Sequence, residues 1–252
     1  RADIKSFYES IQHNLLLEII HESPKLAAHV KRILTRLIND FSKLTGEHKG
    51  IPRGLGISAY LSEIYLSQTD IAIKSQDGIY YYGRYVDDIV MAYTPCADIT
   101  SKDYLKYLQD LLHEKKLSLN NKTQVVDYPV TQKSCLTYLG YDFEFTSNCT
   151  NIIMSQKKLE KYRKRINKSF ERYNEIQKFT PRRAADGLIM SCQLLTGNTK
   201  LFSKKSHAFT GIYYNNKHLT KFRQLKTLDH YMHNYINNTS DQRLQRKLSR
   251  LS

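Results

Sequence analysis

Ile79-Tyr80-Tyr81-Tyr82-Gly83-Arg84-Tyr85-Val86-Asp87-Asp88-Ile89-Val90-Met91-Ala92-Tyr93 is the stretch that decides the fold. Two runs rich in aromatic and β-branched residues flank a polar break, the pattern of a β-hairpin with Asp87 and Asp88 at its tip. Adjacent carboxylates repel each other and are costly to bury, so a rigid hairpin carrying both is short of counter-charge, which metal ions can supply. Taken alone, the pair also fits an ordinary polar turn, where Asp is common. Two further segments add to it. Asp3-Ile4-Lys5-Ser6-Phe7-Tyr8 reads as a second strand bearing an acid. Gly50-Ile51-Pro52-Arg53-Gly54-Leu55-Gly56-Ile57-Ser58 reads as a Gly-rich turn opening a helix, which lets backbone approach a nucleotide or template closely.

Outward from the hairpin, apolar spacing predicts a helix over 10–21 with Ile11, Leu15 and Ile19 on one face. Ser23 is read as an N-cap and Pro24 as the first position of the next helix, whose stripe is Leu26, Val30, Ile33, Leu37 and Phe41. Residues 45–56 read as a loop, 57–72 and 102–116 as helices, the latter with Tyr104, Leu105, Leu108, Leu111 and Leu112 facing inward. Short strands are expected near Gln124–Asp127, Leu136–Phe145 and Ile152–Met154. Beyond Ser155 the character changes. Lys157 to Lys178 reads as a long basic helix burying Leu159, Tyr162, Ile166, Phe170 and Tyr173, followed by a break at Pro181. Further helices are expected over 183–195 and 219–237, and a frayed tail after Asn238. The expected fold class is α+β: an antiparallel sheet with helices over residues 1–155, then an all-helical basic domain over 156–252.

Charge divides the chain in the same place. The whole carries 39 Lys/Arg against 24 Asp/Glu, net +15. Residues 156–252 hold 22 against 6, so +16, and residues 1–155 hold 17 against 18, so −1. A near-neutral half joined to a strongly basic one points to a catalytic part and a part that grips a polyanion, though a basic helical surface can simply be solvated. Mean hydropathy of −0.55 fits a soluble protein. No apolar run reaches the roughly 18 residues of a membrane span, so no membrane partner is expected. Cys96, Cys135, Cys149 and Cys192 form no CxxC pair. That argues against a zinc site or a disulfide framework and fits a reducing cytoplasm.

In order, Asp3-x4-Tyr8, Ile51-Pro52-x-Gly54 and Tyr85-x-Asp87-Asp88 resemble motifs A, B and C of reverse transcriptases. Leu117-Ser118-Leu119-Asn120-Asn121-Lys122-Thr123 resembles motif D, and Tyr138-Leu139-Gly140-Tyr141 the primer-grip hairpin, motif E. The resemblance covers residues 1–145, and five motifs in sequence make it specific. It implies a right-hand polymerase palm (a ferredoxin-like antiparallel sheet with helices) followed by a helical thumb. The implied activity is RNA-directed DNA polymerase, adding dNTPs to a 3′-hydroxyl with two Mg²⁺ ions, or Mn²⁺. The implied catalytic residues are Asp3, Asp87 and Asp88, with Asp3, Asp87 and the Ile4 carbonyl on the metals and Asp88 supporting them. Tyr8 falls at the position that excludes a ribose 2′-hydroxyl, Arg53 and Gly54 face nucleotide or template, and Lys122 lies near the leaving phosphate. Tyr138, Leu139, Gly140 and Tyr141 hold the primer end. Each of Tyr8, Lys122 and Tyr138 also has a plainer reading, as core aromatic, solvated lysine and strand packing. Lys157, Lys158, Lys161, Arg163, Lys164, Arg165 and Lys168 are expected to track nucleic-acid phosphates, interleaved with aromatics whose spacing fits the core better than a stacking platform.

Two departures stand out. Motif B usually reads Pro-Gln-Gly with Ser-Pro following; here it reads Pro52-Arg53-Gly54 and Ser58-Ala59, placing a fixed cation where the family has a neutral amide. The chain also starts at motif A, without the fingers that precede it in the family, and a chain lacking them is expected to be inactive alone. Ile51 to Leu61, Leu194 to Thr199 and Gly211 to Asn216 look most like the bacterial defence-associated and abortive-infection group, relatives of retrons and group II intron enzymes. The expected partners are an RNA template or non-coding RNA, the DNA product, dNTPs, and a second copy or a partner defence protein. Two alternatives stay open: template-independent or protein-primed synthesis by the same site, and a non-catalytic RNA-binding subunit with a polymerase fold.

Overall fold

A computed structural model describes residues 1–94, 100–127, 134–197, 199–200 and 209–251; Cys96 and Asn198 lie outside them. In chain order the elements are β1 (Ala2–Asp3), α1 (Phe7–Ser10), α2 (His13–Glu22), α3 (Ala28–Thr45), α4 (Gly56–Lys74), β2 (Ile79–Tyr85), β3 (Asp88–Tyr93) and α5 (Ser101–Glu114). There follow β4 (Ser134–Tyr138), β5 (Tyr141–Phe145), β6 (Thr150–Met154), α6 (Gln156–Ile176), α7 (Pro181–Thr196), β7 (Thr199–Lys200), β8 (Phe209–Thr210), α8 (Ile212–Asn215), α9 (Arg223–Asn237) and α10 (Gln242–Ser249). They form two units, Arg1–Val125 and Val126–Ser252.

In the first unit an antiparallel sheet of order β1-β3-β2 carries α4 and α5. The core gathers Ile4 and Phe7, Leu16 and Ile20 of α2, Leu61, Tyr65, Leu66 and Ile73 of α4, Ile89 of β3, and Leu108 and Leu112 of α5. The acid-bearing strand is shorter than its sequence suggests. β1 ends at Asp3, and Ser6, with φ 45, turns the chain into α1. The buried face of α2 is His13, Leu16 and Ile20, because Ile11 is buried ahead of the helix rather than on it. Ser23 closes α2, its N–H bonding the Ile19 carbonyl at 3.1 Å, and α3 begins only at Ala28. Two apolar stripes compete on α3, and it is Leu34 and Ile38 that are buried while Ile33 stays 64% exposed. Residues 124–127 form no strand. A single pair of bonds joins Gln124 to Arg1.

The second unit carries an antiparallel sheet of order β4-β5-β6, all of it before residue 155, and within 156–252 a short β7–β8 pair stands among the helices expected there. The division falls earlier than the change of charge near residue 155. On α6 all five expected positions are buried, and Ser155 caps it by accepting the Lys158 N–H. Pro181 opens α7, where a missing N–H costs nothing. The tail is not frayed. Asp241 accepts the N–H groups of Arg243 and Leu244, and Leu244 and Leu248 of α10 are buried. No helix of the described residues is long and apolar enough to cross a membrane.

Candidate active site

β1 is two residues long, but its register matters: Ala2 lies opposite Ile89 and Asp3 opposite Asp88. Ala2 and Ile89 are buried at 3% and 1%, so alternation turns the next pair, Asp3 and Asp88, to the other face of the sheet. β2 and β3 pair from Ile79↔Tyr93 to Tyr85↔Asp88, which leaves Val86-Asp87 as a two-residue turn. Val86 has φ 59. A left-handed conformation costs a non-glycine residue roughly 1–2 kcal/mol, and for a β-branched side chain it is a true outlier. The Ile4 N–H reaches across to the Asp87 carbonyl at 3.0 Å. Three carboxylates from two strands and one turn are thereby brought to one end of the sheet.

Their electrostatics follow from that crowding. Burial pushes the Asp87 carboxyl above its ordinary range, opposed by its own backbone N–H; the charges of Asp3 and Asp88 add to the rise and that of Arg53 subtracts. Arg1 supplies counter-charge, donating to Asp88 Oδ1 at 2.6 and 3.2 Å and lying 3.6 Å from Asp3 Oδ2. Among the described residues, no three His, Cys, Asp or Glu side chains stand close enough to hold a metal ion.

The segment after α5 runs beside β1. Lys5 N–H bonds the Ser118 carbonyl at 2.9 Å, and Asn120 N–H bonds the Asp3 carbonyl at 2.7 Å. Lys122, two residues on, is exposed. On the other side, the turn before α4 docks on α1 and α2. Ile51 N–H bonds the Tyr8 carbonyl at 3.0 Å, Gly50 N–H the Ile11 carbonyl at 2.7 Å, and buried His13 meets the Gly50 carbonyl through Nε2 at 2.6 Å. Gly50 has φ 88, and a Cβ there would stand 3.6 Å from the backbone of Glu9. Tyr8 is half-buried against the core. Exposed Arg53 pairs with Glu9, beside Tyr8 in sequence. Gly54, with φ 82, has open space around it.

A second cluster, which the sequence reading missed, braces the turn from behind. Arg84, on the opposite sheet face from Tyr85, bonds Glu63 and Asp70 of α4 and the Val86 carbonyl. Tyr82 donates to Asp70 Oδ1 at 2.7 Å. The signal was present: Tyr82 and Arg84 are two apart in a strand, and Glu63 and Asp70 are seven apart in a helix, so each pair shares a face. Arg1 and Glu9 were also missed.

The remaining candidates lie in the second unit. Leu139 and Gly140 both have positive φ, 47 and 79, and form the tight turn between β4 and β5, flanked by Tyr138 and Tyr141. Lys158 holds its ammonium 3.5 Å from the Tyr141 ring centroid, and Tyr141 donates to the Asn215 carbonyl at 2.5 Å. Arg163 lies over the Tyr231 ring at 5.7 Å. These two cations of α6 turn to aromatic rings, whereas Lys157, Lys161, Lys164, Arg165 and Lys168 are exposed along it.

The family model described as reverse transcriptase (RNA-dependent DNA polymerase) matches residues 1–143. No curated protein matches the chain.

Proposed function

Because the chain belongs to the reverse transcriptase (RNA-dependent DNA polymerase) family, matched over more than half its length, we propose that Asp3, Asp87 and Asp88 are the site at which it adds dNTPs to a primer 3′-hydroxyl on an RNA template. The observation that carries the reading is the register: Asp3 directly opposite Asp88, with Asp87 on the adjoining turn and locked to Ile4. Phosphoryl transfer asks a protein chiefly for positioning and charge neutralisation. The donor set fits divalent cations. Mg²⁺ takes one or two carboxylates per site along with carbonyl and phosphate oxygens, and Asp3 and Asp88 face each other across the strand pair with the Ile4 backbone beside Asp87. Asp3, Asp87 and the Ile4 carbonyl would hold two such ions, with Asp88 held beside them by Arg1. When bound, Mg²⁺ or Mn²⁺ supplies Lewis acidity to the 3′-hydroxyl and charge neutralisation at the departing pyrophosphate.

The chain's own groups would do the rest. Tyr8, half-buried on the helix after Asp3, is suited to exclude a 2′-hydroxyl. Arg53 and Gly54 offer a cation and an open backbone to nucleotide or template. Lys122 extends from the segment bonded to Asp3. In the second unit, the Tyr138-Leu139-Gly140-Tyr141 turn would hold the primer end. Lys157, Lys161, Lys164, Arg165 and Lys168 would follow phosphates as part of a helical thumb, with Lys158 and Arg163 serving instead as struts. The stretch 51–61, with 194–199 and 211–216, supports membership of the bacterial defence group, and the motif B departure at Arg53 motivates the template-independent alternative.

The test is incorporation of labelled dNTPs by the full-length protein, fingers included, with Mg²⁺, with and without RNA template and primer. Template-dependent product that Asp87→Asn abolishes, while RNA binding persists, is the expected result. Product independent of template would move the account to non-templated synthesis. Activity retained by Asp87→Asn would sink the assignment of the site.

A further inference from the structure

Arg84 sits on β2 directly behind the acidic turn, with a side chain only 3% exposed. A guanidinium carries five N–H donors, and here all five have acceptors. Nε and Nη2 donate to the two oxygens of Asp70 at 2.9 and 2.7 Å. Nη1 and Nη2 donate to the two oxygens of Glu63 at 3.1 and 2.8 Å. The fifth, from Nη1, goes to the Val86 carbonyl at 3.0 Å. Asp70 is fixed in turn by the Tyr82 hydroxyl.

The fifth bond is the informative one, since the two carboxylates alone would make a sufficient structural ion pair. Val86 O belongs to the peptide group preceding Asp87, and Asp87 O to the one following it. Ile4 holds the second and Arg84 the first. Both peptide planes on either side of the Asp87 Cα are therefore anchored, one to the neighbouring strand and one to α4. Val86, at φ 59, is β-branched and would not keep that conformation without such anchors.

We propose that Arg84 is a positioning residue of the active site: acting through Val86, it ties the strained turn to α4 and fixes the direction in which the Asp87 carboxylate is presented. The inference rests on the reading of Asp87 as a metal-holding carboxylate. Lysine cannot replace it, because three donors on one atom do not span a planar fork to two carboxylates and a carbonyl.

Arg84→Lys in the full chain is the test, beside Arg84→Gln, Glu63→Gln, Asp87→Asn and the core control Ile73→Ala, a fully buried α4 residue. Three quantities are read: hydrogen exchange of the 86–88 amides, Mn²⁺ affinity by electron paramagnetic resonance, and kcat against the dNTP KM. Arg84→Lys is expected to speed exchange at the turn at least tenfold. It should weaken Mn²⁺ binding about tenfold and lower kcat by a similar factor, with KM within twofold of wild type. Glu63→Gln, which leaves Asp70 and Val86 engaged, should show the same pattern more weakly. Ile73→Ala, whatever its loss of melting temperature, should keep wild-type Mn²⁺ affinity. Turn exchange unchanged in both Arg84 variants overturns the proposal, as does a Mn²⁺ loss that Ile73→Ala reproduces. If the Arg84 variants fail to fold, Glu63→Gln decides by the same readouts. If wild type binds Mn²⁺ no better than Asp87→Asn, the metal reading itself has failed, and turn exchange still judges Arg84.

Discussion

Lys158 stands in a row of lysines on α6, yet its surroundings predict behaviour unlike its neighbours'. Its ammonium lies 3.5 Å from the Tyr141 ring centroid, and its Cδ is 3.2 Å from where a Cβ on Gly140 would stand. Burial, with the charge of Lys161 adding, pushes its pKa down to about 8, while the ring face favours the ammonium and works against that shift. Lys158→Met keeps the unbranched stem and removes the charge. Because the ammonium is engaged by the Tyr141 ring, the salt dependence of RNA binding should not change. Neutralising a lysine that does contact a phosphate lowers the slope of log K against log salt by about 0.7 for a single strand and 0.9 for duplex DNA, and Lys161→Met or Lys164→Met should show that loss. In stability, the lost attraction of roughly 0.5–2 kcal/mol is offset by release of a partly buried charge, for a net change within about 1 kcal/mol near pH 7. Between about 8 and 10.5 the unfolded chain keeps a proton that the folded chain has released, so this residue makes the wild type gain stability as pH rises through that window. Lys158→Met should lack that gain. Filter binding across about 50 to 200 mM salt, with thermal melts near pH 7 and pH 9.5, reads both effects. A slope loss matching that of Lys161→Met, or the same pH profile in variant and wild type, would refute the reasoning.

Two further outcomes concern the second unit. Leu248, fully buried on α10, is expected to cost about 2–5 kcal/mol when cut to Ala; a melting temperature equal to wild type would mean that α10 is not docked. Cys192 is buried with its thiol pushed up to about 12, whereas Cys135 and Cys149 are exposed. Mass spectrometry after brief alkylation of the native protein should therefore find label on Cys135 and Cys149 and none on Cys192.

The β2–β3 hairpin and its turn lie where their pattern puts them, because alternating aromatic and β-branched runs around a polar break leave little choice; the strand read over Asp3–Tyr8 stops at Asp3, where Ser6 turns the chain into α1. The buried face of α6 was equally legible, since Leu159, Tyr162, Ile166, Phe170 and Tyr173 form one stripe with no rival. On α3, Ile33 and Leu34 belong to competing stripes, and only packing against α2 selects between them. The Ser23-Pro24 pair carried a helix-start signal that lost to the closing bond of α2. α10 was overlooked although Asp241, Leu244 and Leu248 carry a cap and an apolar pair, because its polar composition outweighed them. For Arg84 the sequence offers only shared faces, of Tyr82 with Arg84 and of Glu63 with Asp70; that all five donors are used, one of them on the Val86 carbonyl, shows only in the tertiary fold.

Several contacts at the end of β1 join positions far apart in the chain: Asp3 lies opposite Asp88, and Asn120 donates to its carbonyl. The guanidinium that holds Asp88 belongs to Arg1, 87 positions earlier, and the bonds that close the other side of the strand join Arg1 to Gln124, 123 positions apart. Contacts of that span close large loops and form late in folding. On a ribosome adding about 5–20 residues per second, the stretch from Asp3 to Gln124 takes on the order of 6 to 25 seconds to emerge. For that interval a growing chain carries Asp3 without one of the two segments that hold it in register. The end of the sheet that carries Asp3 and Asp88 is therefore among the last parts of the first unit to be assembled during synthesis.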